Sequence, residues 1–252
     1  MVNKPDSLAT EVALVTGGAR RIGAQIVRCL HAEGMNVAVH YHSSEEEARA
    51  LQRELQAARP DSVLLLRGDL LNGPKLLHNL VYETTEAFKR LDALVNNASS
   101  FYPTPLKQAT EEQWNDLIGT NLKTPFFLAQ AAAAQLRKSQ GCIVNIADIY
   151  AERPLKGYPI YSVAKAGVIT LTRSLARELG PQVRVNAVAP GAVLWPEDGP
   201  DELGKQRVIS RTALMRMGEP DDIARTVLFL VRDAAYITGQ VIAVDGGRSI
   251  VL

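Results

Sequence analysis

Residues 12–34 read VALVTGGARRIGAQIVRCLHAEG, an apolar strand that runs through a glycine-containing turn into an amphipathic helix. Backbone N–H groups at such a turn, together with the dipole of the following helix, favour a bound pyrophosphate. Glycines also serve tight turns that bind nothing, so this stretch alone leaves both interpretations open. Its candidate cofactor-binding residues are Gly17, Arg21, Ile22 and Gly23.

The alternation of strand and helix that begins in this stretch continues along the chain. Short apolar runs rich in β-branched residues predict seven strands, at residues 12–16, 36–41, 62–67, 93–97, 142–147, 183–188 and 240–245. Segments with helical spacing lie between them, at residues 22–33, 45–58, 74–89, 111–137, 161–179 and 220–232. Continuous apolar runs are typical of parallel strands covered on both faces. The sequence therefore predicts one α/β domain, a doubly wound parallel sheet flanked by helices.

Composition narrows the class of protein. The chain has 252 residues, of which 46% are hydrophobic and 22% charged, as expected of a globular protein. Its net charge of +1 lacks the basic field of a nucleic-acid binder, so we expect no nucleic acid as partner. The first residues lack an apolar signal core and no run suggests a membrane span, which predicts a cytoplasmic protein without membrane association. Cys29 and Cys142 are interpreted as small core thiols in a reducing compartment.

The end of the second predicted strand bears on the choice of cofactor. Enzymes that use NAD place an acidic residue there to bind the ribose hydroxyl. This chain instead has His40 followed by Tyr41, His42, Ser43 and Ser44. Hydroxyls and a protonatable imidazole, with Arg20 and Arg21 nearby, would suit a 2′-phosphate, so NADPH is favoured over the alternative of a solvated loop. His40 and His42 have no third ligand at suitable spacing, and we expect no metal site.

A second constellation lies in YSVAK at residues 161–165. Tyr161 and Lys165 are four residues apart at the start of a predicted helix, so they share one face. An ammonium there would favour the phenolate and ease proton transfer, which makes Tyr161 a candidate acid. A lone Tyr-x-x-x-Lys is more often a surface pair. This one follows the fifth strand, which ends at Asp148, and ligands of open α/β sheets bind at the carboxyl ends of strands.

Taken in order, these motifs resemble the short-chain dehydrogenase/reductase family over essentially the whole length. They are the TG-rich turn, Asp69 after the third strand, NNA at 96–98, Asn121, Tyr161 with Lys165, and Pro190-Gly191. The resemblance implies a Rossmann-type sheet, usually in a homotetramer, with a cofactor half over about 8–150 and a catalytic and substrate half over about 151–252.

The family pattern also implies a role for several single residues. Asp69 would lie near the adenine, Asn97 would line the cofactor groove, Lys165 would hold the nicotinamide ribose and Asn121 would support a proton-relay water. The remaining cofactor contacts implied are Leu70, Ala98, Pro190 and Gly191.

Three departures from the general pattern resemble the pteridine reductase branch of the family. Arg21 occupies the middle glycine position of TGxxxGxG, Asp148 replaces the usual serine, and NNA continues as NNASSFYPTPL with Ser99 and Phe101. The resemblance implies that Phe101 stacks on a flat heterocycle, Arg21 binds its oxygen or ring nitrogens, and Asp148 supports proton delivery through Tyr161. Taken singly, these residues would also suit loop packing, phosphate binding and a strand-end acid.

The implied activity is hydride transfer from NADPH to a C=N bond of a pteridine of the dihydrobiopterin, dihydromonapterin or folate type. Two alternatives remain open at this point: a carbonyl or 3-oxoacyl thioester reductase of the same family, and a non-catalytic NADPH-binding sensor. Residues 190–218 are the least regular stretch and are interpreted as a substrate-covering loop, with Trp195 as the far wall of the pocket.

Overall fold

Seven strands of the computed structural model form one parallel sheet in the order β3-β2-β1-β4-β5-β6-β7. The structure describes residues 8–194 and 201–251. The strands are β1 (Val12–Val15), β2 (Asn36–Tyr41), β3 (Val63–Arg67), β4 (Ala93–Asn96), β5 (Cys142–Ile146), β6 (Arg184–Pro190) and β7 (Val241–Val244). The predicted α/β class and the seven-stranded parallel sheet are thereby confirmed.

The chain reverses direction across the sheet between β1 and β4, which are neighbours although two strands separate them in sequence. Leu14 of β1 stands in register with Ala38 of β2 on one side and Leu94 of β4 on the other. Crossovers that leave in opposite directions open a crevice at the carboxyl ends of these strands, where doubly wound folds bind their ligands. The glycine turn of residues 16–23 lies at this crevice because it directly follows β1.

Helices cover both faces of the sheet. They are α1 (Arg21–Ala32), α2 (Glu45–Ala58), α3 (Pro74–Phe88), α4 (Glu111–Ile118), α5 (Thr124–Ser139), α6 (Pro159–Leu179), α7 (Glu202–Ser210) and α8 (Pro220–Arg232). Val15 and Val39 face a core cluster that includes residues of α1, α2 and α8, whereas Leu14 and Leu94 face one that includes residues of α3, α5 and α6. Burial on both faces explains why the strands read as continuous apolar runs.

The segment predicted as one helix over 111–137 is interrupted by a π-helical turn at Gly119–Lys123. Pro125 has no N–H with which to bond the carbonyl of Asn121 four residues earlier, so the regular series of α-helical hydrogen bonds is interrupted at this point. The N–H of Thr124 reaches back to the carbonyl of Gly119, five residues away. Such π-turns are frequent at functional sites, and this one carries Asn121.

A nine-residue helix, α7, lies within the stretch that the sequence suggested was irregular. It begins after the proline and glycine residues of 196–200, and the side chain of Asp201 caps it by accepting from the N–H of Gly204 at 2.8 Å. Trp195 lies outside the described residues, so its predicted place in a substrate pocket stays a prediction. Within the described ranges, no helix is long and apolar enough to cross a membrane.

Candidate active site

One cleft at the carboxyl ends of β1, β2, β3 and β4 brings together most of the predicted cofactor residues. From the predicted set it is lined by Gly17, Arg21, Ile22, Gly23, Tyr41, His42, Ser43, Ser44, Asp69, Leu70, Asn97, Ala98 and Ser99. Residues that the sequence did not assign also line it, namely Ala19, Leu71, Ser100, Asp116 and Thr120. An elongated polar groove of this kind, at the switch point of the sheet, suits a dinucleotide.

Close backbone contact explains the glycines of the turn after β1. Gly17 has a φ of +60°, and a Cβ on Gly23 would lie 2.2 Å from the carbonyl oxygen of Gly17. Only glycine fits at Gly23, since the clashing atom belongs to the backbone. Arg21 also has a left-handed backbone, with a φ of +52°. A non-glycine residue in that region is strained, and such strain concentrates at functional sites.

The loop after β4 holds this turn from one side. The Asn97 side-chain amide donates to the carbonyls of Thr16 (2.9 Å) and Gly17 (3.0 Å). The backbone N–H groups of Asn97 and Ala98 donate to the Thr16 hydroxyl at 3.0 and 3.1 Å. Asn97 therefore lines the groove, as the resemblance implied, while its amide is engaged in fixing the glycine turn.

The two histidines after β2 have different environments. His42 and Ser43 are exposed in the cleft, whereas His40 is buried, with both ring nitrogens bonded to backbone atoms of Gly17 and Gly68. Burial lowers the pKa of His40 to about 4, against the smaller opposing effect of the Gly68 carbonyl. His40 is therefore neutral at neutral pH, and only His42 is placed to meet a phosphate with a protonatable imidazole.

Glu45 and Glu47, two of the three glutamates at the start of α2, are paired with arginines. Glu45 accepts from Arg49 at 2.8 Å and pairs with Arg67 at 3.3 Å. Glu47 lies 3.7 Å from Arg20, which begins the helix α1 together with Arg21. Pairing reduces the negative field that these carboxylates would otherwise direct at a phosphate near Ser43.

Asp148 and Tyr161 form a short hydrogen bond at the carboxyl end of β5. The Tyr161 hydroxyl donates to Oδ2 of Asp148 at 2.7 Å, and the N–H of Tyr150 donates to Oδ1 at 2.8 Å. Burial raises the pKa of Asp148, and burial followed by the Asp148 charge raises the pKa of Tyr161 well above its ordinary value. Tyr161 is therefore a protonated phenol, a group equipped to donate a proton.

Lys165 lies one turn further along α6 and is fully enclosed. Its Nζ donates to the carbonyl of Ile146 at 2.8 Å and lies 5.7 Å from the centre of the Tyr161 ring. Burial lowers the pKa of Lys165 to about 8, while Asp148 acts in the opposite direction. The sequence suggested that this ammonium would favour the phenolate. In the structure the pKa of Tyr161 is raised instead, because burial and then the charge of Asp148 are the main causes of its shift.

Ser99 and Asn121 continue the polar network on the other side of Tyr161. The Ser99 hydroxyl donates to Oδ1 of Asn121 at 2.7 Å, and the Asn121 amide donates to the carbonyls of Ser100 and Leu117. Ser99 also opposes the rise of the Tyr161 pKa. The predicted relay role of Asn121 stays a prediction; its side chain is bonded to Ser99 and to the carbonyls of Ser100 and Leu117.

Phe101 packs against Tyr161 and directly follows Ser99 and Ser100, which line the cleft. Its ring is stacked on Tyr158 at 4.7 Å between centroids and meets Tyr161 edge-on at 4.8 Å. The side chain is 43% exposed, so one part of the ring remains accessible to a ligand. Tyr158 occupies the N-cap position of α6, and its ring contributes to this aromatic group.

Asp116 was missed by the sequence analysis. Its carboxylate accepts from Tyr102 (2.7 Å) and, at 3.4 Å each, from Ser100 and Thr120, so it ties the Phe101 loop to α4. Burial and Asp116 raise the pKa of Tyr102 to about 12. Tyr102 and Ser100 are 14 and 16 residues from Asp116 in the sequence, so no local sequence pattern indicates these two contacts.

Four of the predicted cofactor residues do not line this cleft, namely Pro190, Gly191, Asn121 and Lys165. Pro190 ends β6, and the N–H of Gly191 donates to the carbonyl of Val244 at 3.0 Å. A Cβ on Gly191 would lie 2.6 Å from the Cβ of Asp245. Close packing against the end of β7 explains the glycine, and the predicted cofactor contact of this pair stays a prediction.

The pKa of His40 predicts a loss of stability in mild acid. In the unfolded chain this imidazole takes up a proton below pH 6.5, whereas in the folded protein it does so only near pH 4. Stability is therefore fully present above about pH 6.5 and falls as the pH decreases towards 4. We expect the wild type to lose about 2 kcal/mol more than His40→Gln between pH 7.5 and 5. Urea unfolding of both proteins measures the difference. If the free energy of unfolding had the same pH dependence in both, His40 would not be a neutral buried imidazole.

The chain is similar to known proteins over nearly its full length. A family model described as enoyl-(acyl carrier protein) reductase matches residues 17–249. Pteridine reductase 1 of Leishmania tarentolae is 37% identical over 278 aligned residues, covering 95% of this chain and 96% of that protein. The 3-oxoacyl-(acyl-carrier-protein) reductase FabG of Staphylococcus aureus is 41% identical over 243 residues, covering 94% and 98%. A 3-oxoacyl-(acyl-carrier-protein) reductase of Synechocystis is 37% identical over 245 residues, covering 96% and 98%.

Proposed function

This chain is an oxidoreductase of the short-chain dehydrogenase/reductase family, and we propose that it is an NADPH-dependent pteridine reductase. The observation that carries the proposal is the hydrogen bond between Tyr161 and Asp148, a carboxyl group where the general family pattern has a serine. Burial raises the pKa of this carboxyl group, so Asp148 can take up a proton and pass it to the tyrosine at a higher pH than an exposed carboxylate could, whereas a serine hydroxyl is not an acid in this range. Reduction of a ring C=N bond needs such a proton at nitrogen.

The cleft supports NADPH as the cofactor. Gly17 and Gly23 allow the close backbone approach that a pyrophosphate requires, and α1 begins directly beside them. Residues 40–44 contain no carboxylate that would repel a 2′-phosphate, and His42 and Ser43 are exposed there. Arg20 and Arg21 add positive charge at the same end. When bound, NADPH supplies the hydride that reduces the carbon of the C=N bond.

The chain's own part in the reaction is to hold the substrate and deliver one proton. The Tyr161 hydroxyl would give its proton to the substrate nitrogen, and the bond to Asp148 allows the pair to share a replacement proton. The raised pKa of Asp148 makes the carboxyl group available as its donor. The Lys165 ammonium, 5.7 Å from the Tyr161 ring centre, offsets the negative charge that remains.

Two side chains support a flat heterocycle as substrate. Phe101 presents a partly exposed ring beside Tyr161, and a pterin ring can stack on such a surface. Arg21 lines the cofactor cleft at the start of α1, and a guanidinium there can bind the ring oxygen and nitrogens in a bidentate manner. A 3-oxoacyl thioester has no planar ring at its reacting carbonyl, so it would not stack on Phe101 in this way.

The alternative is reduction of a 3-oxoacyl thioester, which the names of the Staphylococcus and Synechocystis relatives favour. Tyr161, Lys165 and Asn121 would serve that reaction equally well because a ketone also needs one proton at oxygen. The two functions differ at Arg21 and Phe101, so variants at these positions separate them. A non-catalytic NADPH-binding role would leave the Tyr161 and Asp148 pair without a use.

Arg21→Gly is expected to weaken pterin binding without harming the fold. Glycine accommodates the φ of +52° at no steric cost, so stability should stay equal or rise by up to about 1 kcal/mol. Loss of the guanidinium should raise the KM for dihydrobiopterin at least ~10-fold, the effect of removing one charged hydrogen-bonding partner. Steady-state kinetics and urea unfolding measure both quantities.

Arg20→Ala is the matched control for this experiment. Arg20 precedes Arg21 and has the same charge, but it is paired with Glu47 on the α2 side of the cleft. Its removal should affect the KM for NADPH and leave the KM for the pterin unchanged. An Arg21→Gly enzyme with an unchanged pterin KM would contradict the proposed pteridine site.

A further inference from the structure

The imidazole of His40 is bonded to backbone at both nitrogens. The N–H of Gly17 donates to Nδ1 at 3.3 Å, and Nε2 lies 3.0 Å from the carbonyl oxygen of Gly68. Because Nδ1 accepts a hydrogen, the proton of the neutral ring must reside on Nε2, from which it is donated to Gly68. The side chain is buried, with 2% of its surface exposed. One tautomer of one neutral ring thus satisfies both bonds.

These two bonds join three separate parts of the cofactor cleft. Gly17 belongs to the glycine turn after β1, and Gly68 directly precedes Asp69 after β3. His40 itself directly precedes residues 41–44, which line the cleft after β2. The backbone reinforces the arrangement, since the N–H of Gly18 donates to the His40 carbonyl at 2.9 Å and the N–H of Gly68 donates to that of Tyr41 at 3.0 Å.

Gly17 is held from two sides as a result. The Asn97 side chain binds its carbonyl oxygen from β4, and His40 binds its N–H from β2. With a φ of +60°, this residue has a backbone that would otherwise be free to adopt other conformations, as glycine does. Fixing both its peptide groups fixes the path of the turn into α1.

We propose that His40 is a positioning residue for NADPH, which sets the spacing between the pyrophosphate turn, the residues after β2 and the residues after β3. It acts through Gly17 and Gly68. This inference rests on the NADPH-binding part of the proposed function. A site whose parts are already correctly spaced pays less ordering entropy on binding, so loss of the imidazole should weaken the affinity for the cofactor. The rate at saturating NADPH should change little, because Asp148 follows β5 and Tyr161 and Lys165 stand on α6.

Three substitutions separate the two bonds. His40→Asn places an amide oxygen near the position of Nδ1, where it can accept from Gly17, but it is too short to reach Gly68. His40→Gln extends to the position of Nε2 and can donate to Gly68 without holding Gly17. His40→Leu removes both bonds. His31→Leu is the control, because His31 is also buried and bonded to Ser62 at 2.7 Å, but Ser62 immediately precedes β3, at the opposite end of that strand from Gly68.

The primary measurement is the dissociation constant of NADPH by fluorescence titration, with no substrate present. We expect His40→Leu to raise it at least ~10-fold, His40→Asn and His40→Gln to raise it by intermediate factors, and His31→Leu to leave it within about twofold of the wild type. The kcat of folded His40 variants at saturating NADPH should stay within about threefold. If His40→Leu does not fold, the Asn and Gln variants decide the question.

Several results would overturn the proposal. They are NADPH affinities of the Asn and Gln variants equal to that of the wild type, an equal loss of affinity in His31→Leu, or a loss of kcat with unchanged affinity. A ¹⁵N NMR spectrum of the free protein adds a test that needs no cofactor, since we expect the Nε2–H tautomer for His40 at neutral pH. A wild type that fails to bind NADPH would instead contradict the proposed function itself.

Discussion

Tyr161→Phe is expected to lower the turnover of a dihydropterin by about 10²- to 10⁴-fold, the usual contribution of a positioned general acid. The variant removes the hydroxyl that donates to Asp148 at 2.7 Å and keeps the ring that meets Phe101 edge-on at 4.8 Å. Packing should therefore survive. NADPH affinity should stay within about twofold, because only the proton donor is lost. The measurement is kcat with saturating NADPH and pterin, together with the NADPH dissociation constant.

Tyr82→Phe serves as the control for loss of a phenol hydroxyl. Tyr82 lies on α3 with 62% of its surface exposed, and it does not line the cofactor cleft. Its variant should keep the turnover of the wild type. If Tyr161→Phe also retained full turnover, the proton would have to reach the substrate nitrogen from another donor, and Tyr161 would lose its assigned role.

Asp148→Asn is expected to lower pterin turnover by about 10²- to 10³-fold while keeping one of the two hydrogen bonds that the carboxylate accepts. Asparagine has nearly the same shape, and its amide oxygen can accept from Tyr161 or from the N–H of Tyr150, whereas the carboxylate accepts from both. It cannot carry a proton to the tyrosine. The negative charge of Asp148 also raises the pKa of Tyr161, so its removal should bring the phenol titration to lower pH.

The measurement for this variant is kcat/KM against pH, with ultraviolet titration of the tyrosine. Asp148→Ser is the second arm of the experiment because it restores the residue of the general family pattern. We expect Asp148→Ser to lose most activity towards pterins and to retain any activity towards a carbonyl substrate. An Asp148→Asn enzyme with normal pterin turnover and an unchanged pH profile would contradict the proposal that Tyr161 and Asp148 share a proton.

Much of the fold could be predicted from sequence because strand periodicity and glycine positions are local signals. The buried strands appear as continuous apolar runs, and the turn at residues 16–23 follows the first of them directly. The break between α4 and α5 was not predicted, since the apolar pattern runs through it and only Pro125 disturbs the ladder. The helix α7 was missed because the prolines and glycines before it dominate the composition of that stretch.

The site was predictable to the extent that its residues stand at strand ends. Asp148 and Tyr161 were each identified, but the sequence did not show that the phenol donates to the carboxylate rather than interacting first with Lys165. The difference arises from burial, which a sequence pattern reports poorly for polar residues. Burial also explains why the hydrogen bonds of His40 were not predicted, since its partners are backbone atoms of two distant turns. The homotetramer implied by the family resemblance stays a prediction.

The central claim is tested most directly by a parallel assay of NADPH oxidation. The purified protein would be given dihydrobiopterin, dihydromonapterin, dihydrofolate and an acetoacetyl thioester at matched concentrations, with NADH in place of NADPH as a second series. We predict turnover with at least one of the pteridines, a strong preference for NADPH, and little or no turnover of the thioester. Turnover of the thioester alone would contradict the account and identify the chain as a carbonyl reductase that carries Asp148 and Arg21 for another purpose.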